Sequence, residues 1–114
     1  MTLRTIAPLV VLALVQGLDV FVHVVTGQIE PIRIASNLIL IVGAGAAVLV
    51  PTRSGVLLLL AGTIYLVLNG AFVAQHGLIN PTTGALRAPL FGFVVASLLL
   101  ATWLRRRLLG QGDA

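Results

Sequence analysis

Four long apolar stretches, separated by short connections, dominate the sequence and restrict what it can fold into. They cover residues 5–26, 32–50, 54–76 and 89–104. A helix needs roughly 20 mostly apolar residues to cross a bilayer. Lipid offers no partner for backbone groups, so each stretch has to satisfy its own hydrogen bonds as a helix. The sequence therefore predicts an all-α integral membrane protein with four spans in one transmembrane domain, residues 1–114.

The composition agrees with a membrane protein. Charged residues make up 9% of the chain, whereas a soluble domain carries about a quarter. Cysteine is absent, which excludes disulfides, thiolate metal sites and thiol catalysis. The net charge of +4 comes from arginines that lie between or beyond the apolar stretches. We therefore expect the lipid bilayer, and not nucleic acid, as the partner of this surface.

Glycine and proline mark the predicted ends of the helices. Gly27 and Gly77 follow the first and third stretches, where glycine commonly ends a helix. Pro31 suits the first turn of the second helix, and Pro51 stops it. Ser54 is the predicted cap of the third helix. Because the connections are short, we expect antiparallel neighbours in an up-down-up-down four-helix bundle.

The arginines predict the orientation of the bundle. Five lie on the side that holds both termini and two on the other, namely Arg4, Arg53, Arg105, Arg106 and Arg107 against Arg33 and Arg87. Basic residues concentrate on the cytoplasmic side of membrane proteins. We therefore expect both termini in the cytoplasm and a multi-pass protein of the inner (cytoplasmic) membrane. The first stretch lacks a convincing cleavage site and is interpreted as a retained helix.

Small residues four positions apart recur in three of the predicted helices. Such pairs let helix backbones approach closely in lipid, so we interpret them as packing devices. The pairs are Gly43 with Ala47, Gly70 with Ala74, and Gly92 with Ala96.

Asp19 is the only acidic residue inside a predicted span. A carboxylate at this depth is costly, so it is interpreted as functional and is expected to face the bundle interior. Gln16, Asp19 and His23 form one polar stripe, since they lie within about 60° on the helix. We expect Asp19→Leu to leave the bundle folded while impairing transport or binding. Glu30 and Arg33 are interpreted as solvated loop charges.

The other helices carry polar residues at similar depth. Tyr65, Asn69 and His76 are predicted to share a face of the third helix, and Asn37 and Ser97 enter the second and fourth. These side chains are candidates for a ligand site in the outer half. The alternative is that the amides and hydroxyls are interhelical hydrogen-bond glue.

The two histidines support the most specific hypothesis. His23 and His76 end helices that run in the same direction, so a shared ligand between them is predicted. Haem, a divalent metal with Asp19 or Glu30, and a quinone head group are the candidates. In the haem case, Gly17 and Gly70 are expected to leave room for the macrocycle, and Arg33 and Arg87 to pair with the propionates. The alternative is that both imidazoles cap carbonyls or meet head groups.

The span pattern and the segment 50–55, Val-Pro-Thr-Arg-Ser-Gly before a leucine run, resemble the DoxX-like group of small four-helix bacterial membrane proteins. The resemblance covers the middle third of the chain, and Asn37 stands where an acidic residue would be expected. It implies a membrane protein associated with quinone-linked redox or stress physiology, and it assigns no functional residue.

Three functions remain open, because no enzyme motif is present in the sequence. The first is an accessory or scaffold subunit that packs against a membrane-protein partner or a second copy of itself. The second is a proton-coupled transporter that uses Asp19. The third is a redox protein that binds haem, metal or quinone through His23 and His76.

The predicted orientation can be tested by labelling, because the chain has no native cysteine. In intact cells an impermeant thiol reagent should label Thr83→Cys and should not reach Gly112→Cys until the membrane is opened. Labelling of Gly112→Cys in intact cells would reverse the orientation.

Overall fold

The computed structural model describes residues 3–25, 27, 30–79, 84 and 86–112. Within them the chain is helical and forms no strand. The helices are α1 (Leu3–Val25), α2 (Pro31–Leu49), α3 (Ser54–His76) and α4 (Ala88–Gly112), with a 3-10 turn, Pro51–Arg53, before α3. Each of the four helices is long and apolar enough to cross a membrane. The prediction of four apolar helices is confirmed.

The helix ends show which sequence signals were informative. Pro31 begins α2, and Gly77 follows α3 with a positive φ of 81°, as predicted. Ser54 is not the cap of α3, since the 3-10 turn makes Arg53 the N-cap residue and no side chain caps the helix. Ser54 is instead the first residue of α3, and its buried hydroxyl has no hydrogen-bond partner among the described residues.

The helix α4 extends eight residues beyond the predicted end at residue 104. It continues through the arginine triplet because arginine and leucine both favour helix. Leu104 and Leu108 also remain on the buried face of α4. Hydropathy marked where the apolar stretch ends, whereas the helix itself ends at Gly112.

The four helices form an up-and-down bundle. α1 packs against α2 and α4, and α3 packs against the same two helices. α2 and α4 also contact each other across the centre, so α1 and α3 occupy opposite corners. We call the end where α1 and α3 finish the distal end, and the end where α1 and α3 begin the proximal end.

One of the three small-residue pairs packs inside the bundle. A Cβ atom added to Gly43 would overlap the Cβ of Ala61, so glycine is what lets α2 approach α3 there. Gly70 and Gly92 differ, because a Cβ atom added at either would meet nothing within 4 Å. Gly70 and Ala74 are both exposed on the outside of α3. The interpretation as packing within the bundle holds for Gly43 and is wrong for Gly70 and Gly92.

The interior divides into two halves. The proximal half is filled with aliphatic side chains, among them Leu12, Ala44, Leu58, Ala61 and Leu104. Apart from Thr5 and Ser54, the buried polar residues lie towards the distal end. Leucines, valines and isoleucines cover much of the outside. Any chemistry of the interior is therefore restricted to the distal half.

Candidate functional site

The side chain of Arg33 lies at the centre of the distal half. It extends from the first turn of α2 and is only 5% exposed. Nη2 donates to both carboxylate oxygens of Asp19, at 3.2 and 2.9 Å. Nε donates to Oδ1 of Asn69, at 3.2 Å. One guanidinium group therefore connects α1, α2 and α3.

The interpretation of Arg33 as a solvated loop charge is wrong. Pro31 starts α2 two residues earlier, so Arg33 is helical and shares a face with the buried Asn37 and Leu40. The buried face repeats at i, i+4 and i+7 from Arg33, a helical spacing that was visible in the sequence. The expectation that Asp19 faces the interior is confirmed, since it is 2% exposed.

His23 completes the charged group, and its neighbours define its tautomer. Nδ1 lies 2.6 Å from the Asp19 carbonyl oxygen and 3.4 Å from Oδ1, so it donates to acceptors. Nε2 lies 2.9 Å from Nη1 of Arg33, which can only donate, so Nε2 accepts. In this arrangement the His23 ring donates through Nδ1 and accepts through Nε2. Its Nε2 lone pair is engaged, so a metal or haem iron would have to displace Arg33.

Asn69 and Ser36 extend the network between α2 and α3. The Asn69 Nδ2 group donates to Oγ of Ser36 at 3.0 Å and to the Tyr65 carbonyl at 2.8 Å. Ser36 in turn donates to the Arg33 carbonyl at 2.6 Å. Since its Oδ1 accepts from Arg33, the Asn69 amide has partners for both its nitrogen and its oxygen. Sequence reasoning missed Ser36, although it lies three residues after Arg33 on the same helix.

A second group of polar side chains lies deeper in the interior. Oγ of Ser97 accepts from Nε2 of Gln16 at 2.6 Å and from the Tyr65 hydroxyl at 3.2 Å. Asn37 lies at the same depth, because it is one turn below Arg33, as Gln16 is below Asp19. Each helix thus contributes one residue with zero exposure to what we call the polar layer: Gln16, Asn37, Tyr65 and Ser97.

The polar layer has unused hydrogen-bonding capacity. Nδ2 and Oδ1 of Asn37, and Oε1 of Gln16, have no partner among the described residues. A buried polar group left without a partner costs roughly 1–3 kcal/mol. Three of the five such atoms in the described part of the chain lie in the polar layer, and the other two are Oε2 of Glu30 and the hydroxyl of Ser54.

His76 does not belong to the buried network. It is exposed and stacks on Phe72, with ring centroids 4.6 Å apart. His76 lies on the same side of α3 as Tyr65 and Asn69 by helical spacing, but as the last residue of the helix it is exposed whereas they are buried. It lines a cleft of about 260 Å³ with Glu30, Pro31, Ile32 and Phe72.

Glu30 lies between the cleft and the network. Its Oε2 is 3.8 Å from Nε2 of His23, and its Oε1 is 3.8 Å from Nη1 of Arg87. The side chain is 16% exposed, so the interpretation of Glu30 as a solvated loop charge is also wrong. Arg87 lies over the ring of Phe72, 4.8 Å from its centroid. The cleft is thus bordered by an anion, a cation and two aromatic rings.

The two histidines contact different residues, and no hydrogen bond or ring contact joins them within the described helices. His23 is held by Asp19 and Arg33, and His76 stacks at the opposite corner of the bundle. Gly17 and Gly70 are exposed, so the expectation that they leave interior room for a macrocycle is wrong. No group of three or more metal-binding side chains occurs within the described part of the chain. A ligand shared by the histidines stays a prediction.

No family model, curated protein sequence or solved structure matches the chain. The resemblance to the DoxX-like group therefore stays a prediction, and the function is argued from the geometry.

The ion pair predicts strong coupling between Asp19 and Arg33. Asp19→Leu alone leaves the buried charge of Arg33 unpaired, and Arg33→Met alone leaves that of Asp19 unpaired. Each substitution should therefore lower the free energy of unfolding by about 3 kcal/mol. This replaces the expectation that Asp19→Leu leaves the fold unaffected. Combining both substitutions removes the charges together and should recover most of the loss. Equilibrium unfolding in detergent micelles measures all three variants, and additive losses would contradict the pairing.

The two buried asparagines predict opposite effects of the same substitution. Asn37→Leu removes an amide without partners and should raise the free energy of unfolding by about 1–2 kcal/mol. Asn69→Leu leaves Nε of Arg33 without its acceptor and should lower it by about 1–3 kcal/mol. The same unfolding experiment compares them. An equal loss for both would show that the Asn37 amide is hydrogen bonded in the folded protein.

Proposed function

We propose that this protein is a small accessory subunit that packs against a partner membrane protein within the bilayer. The outward-facing pair Gly70 and Ala74 on α3 carries the proposal. Both residues are exposed, and a Cβ atom added to Gly70 would meet nothing within 4 Å. Small residues four apart at a helix surface permit the close backbone approach by which helices associate in lipid.

The same packing device operates inside the bundle, which supports this interpretation. Gly43 lets α2 approach Ala61 of α3 there, whereas a Cβ atom added to Gly70 would meet no described atom within 4 Å, and Ala74 is exposed. Thr63 and Val67 lie on the same face as the pair by helical spacing. The Thr63 hydroxyl donates to the Leu59 carbonyl at 2.7 Å, so its polarity is already satisfied. The face is small, uncharged and suited to another helix.

The interior favours this proposal over transport. Asp19 is committed to Arg33, and the proximal half below it is continuous aliphatic packing. A coupled carrier needs polar groups or water along its whole path, because an ion in a dry interior is costly. Leu12, Leu58 and Leu104 instead fill the route at 3% exposure or less. The polar groups of the distal half therefore serve best to fix the arrangement of the helices.

In this proposal the bundle crosses the inner membrane with both termini in the cytoplasm. The burial of Arg33 supports that orientation, because a paired interior arginine does not count as a loop charge. Arg87 is then the only loop arginine on the distal side, against five on the proximal side. The resemblance to the DoxX-like group suggests a redox-linked membrane system as the setting.

Photo-cross-linking from the α3 face tests the proposal. A photoreactive amino acid at Val67, an exposed residue on the same face, leaves Gly70 and Ala74 unfilled and should give a discrete protein adduct in living cells. Leu14 is the matched control, since it is similarly exposed and lies three residues before Gly17, another exposed glycine with open space around it. Phe21 stands four residues after Gly17, however, and would block close approach of a helix. Mass spectrometry identifies the adduct as a partner protein or as a second copy of the chain.

The proposal also predicts the effect of filling the face. With the photoreactive group at Val67, the substitution Gly70→Leu should reduce the adduct several-fold, because the added side chain separates the two backbones. Cross-linking only to lipid from position 67 would contradict the proposal. Equal protein adducts from positions 14 and 67 would show non-specific contact and would contradict it as well.

A further inference from the structure

A groove runs along the outside of the bundle between α3 and α4, in the proximal half. It has a volume of about 330 Å³. Leu58 and Arg105 lie at its proximal end, and Leu66 and Leu98 at the other, where the antiparallel helices continue towards the middle of the bundle. Eight residues separate Leu58 from Leu66, so the groove is about 12 Å long.

The groove exists because α3 carries a glycine at its floor. A Cβ atom added to Gly62 would come no closer than 4.0 Å to Cδ2 of Leu98. The two threonines of the lining have no free hydroxyl hydrogen to offer, since Thr63 and Thr102 donate to the carbonyls four residues earlier. The wall beside them is leucine and alanine. Along its length the groove suits a hydrocarbon chain.

The proximal end of the groove is positively charged. Arg105 is exposed, and its Nε donates to the Gly55 carbonyl at 3.3 Å, which holds the guanidinium at the mouth of the groove. Its Nη nitrogens make no hydrogen bond within the described residues. The proximal side has five arginines, and no acidic residue occurs at the proximal end of the described helices. This charge is complementary to an anion at the membrane surface.

We propose that the α3–α4 groove binds an anionic phospholipid. One acyl chain lies in the groove from Arg105 to Leu66, and the phosphate accepts hydrogen bonds from the Nη nitrogens of Arg105. Basic pockets between membrane helices are a known way of holding anionic head groups. Thr63 lines the groove and shares a helical face with Gly70 and Ala74, so the groove adjoins the proximal end of that face.

Native mass spectrometry of the purified full chain tests the proposal with two probes. Phosphatidylglycerol and phosphatidylcholine with identical acyl chains are added at equal concentrations, and phosphatidylglycerol should bind more tightly. Arg105→Gln should weaken phosphatidylglycerol binding about fivefold, since one arginine at the surface contributes about 1 kcal/mol. Arg106→Gln removes the same charge from an exposed neighbour outside the groove and should leave binding nearly unchanged.

The apolar part of the groove needs its own variant. Gly62→Leu fills the floor and should weaken both lipids severalfold, whereas Gly17→Leu on the outside of α1 should not. Circular dichroism establishes that each variant keeps its helix content. Equal binding of the two lipids, equal effects of Arg105→Gln and Arg106→Gln, or full binding by Gly62→Leu would each overturn the proposal.

Discussion

The guanidinium of Arg33 sets the arrangement of the distal half, because a charge in a dry interior has to be paired and hydrogen bonded. Its three nitrogens reach Asp19, His23 and Asn69, which come from α1 and α3. These two helices occupy opposite corners of the bundle, so the side chain from α2 joins elements that do not pack on each other. A rotation or a one-turn shift of any of the three helices would leave the Arg33 charge without its partners. The ion pair thus specifies one register of the helices.

Different interactions hold the helices together in the two halves of the bundle. Lipid provides no hydrophobic driving force between helices, so the proximal half depends on close packing, as where Gly43 meets Ala61. The distal half depends on hydrogen bonds, which are specific in direction but costly when incomplete. Asn37 shows that cost, since its amide has no partner among the described residues. The arrangement of the helices in the proximal half therefore depends on the shapes of the packed side chains. In the distal half it depends on which donors and acceptors face each other.

The sequence was sufficient for the helices and for part of the site. Apolar length predicted four spans, and helical spacing predicted that Gln16, Asp19 and His23 form one stripe, which is buried in the structure. It failed at Arg33, because an arginine beside a loop resembles a solvated charge until its partner on another helix is known. It failed at His76 for a related reason, since spacing gives the direction of a side chain but not where the neighbouring helices end. Both errors concern which neighbouring helix a side chain meets, and local spacing alone does not give that.

The helices differ in length, and α2 is the shortest. Its 19 residues span about 28 Å, while the 25 residues of α4 span about 38 Å. Arg33 lies in the first turn of α2, so the uninterrupted apolar part of that helix is shorter still. The hydrocarbon core of a typical bilayer is about 30 Å thick. The apolar stretch of α4, residues 89–104, spans only about 24 Å, because the helix continues beyond it through Arg105, Arg106 and Arg107. In a membrane, lipids beside both helices would have to thin to match their apolar parts. Such hydrophobic mismatch favours thinner bilayers.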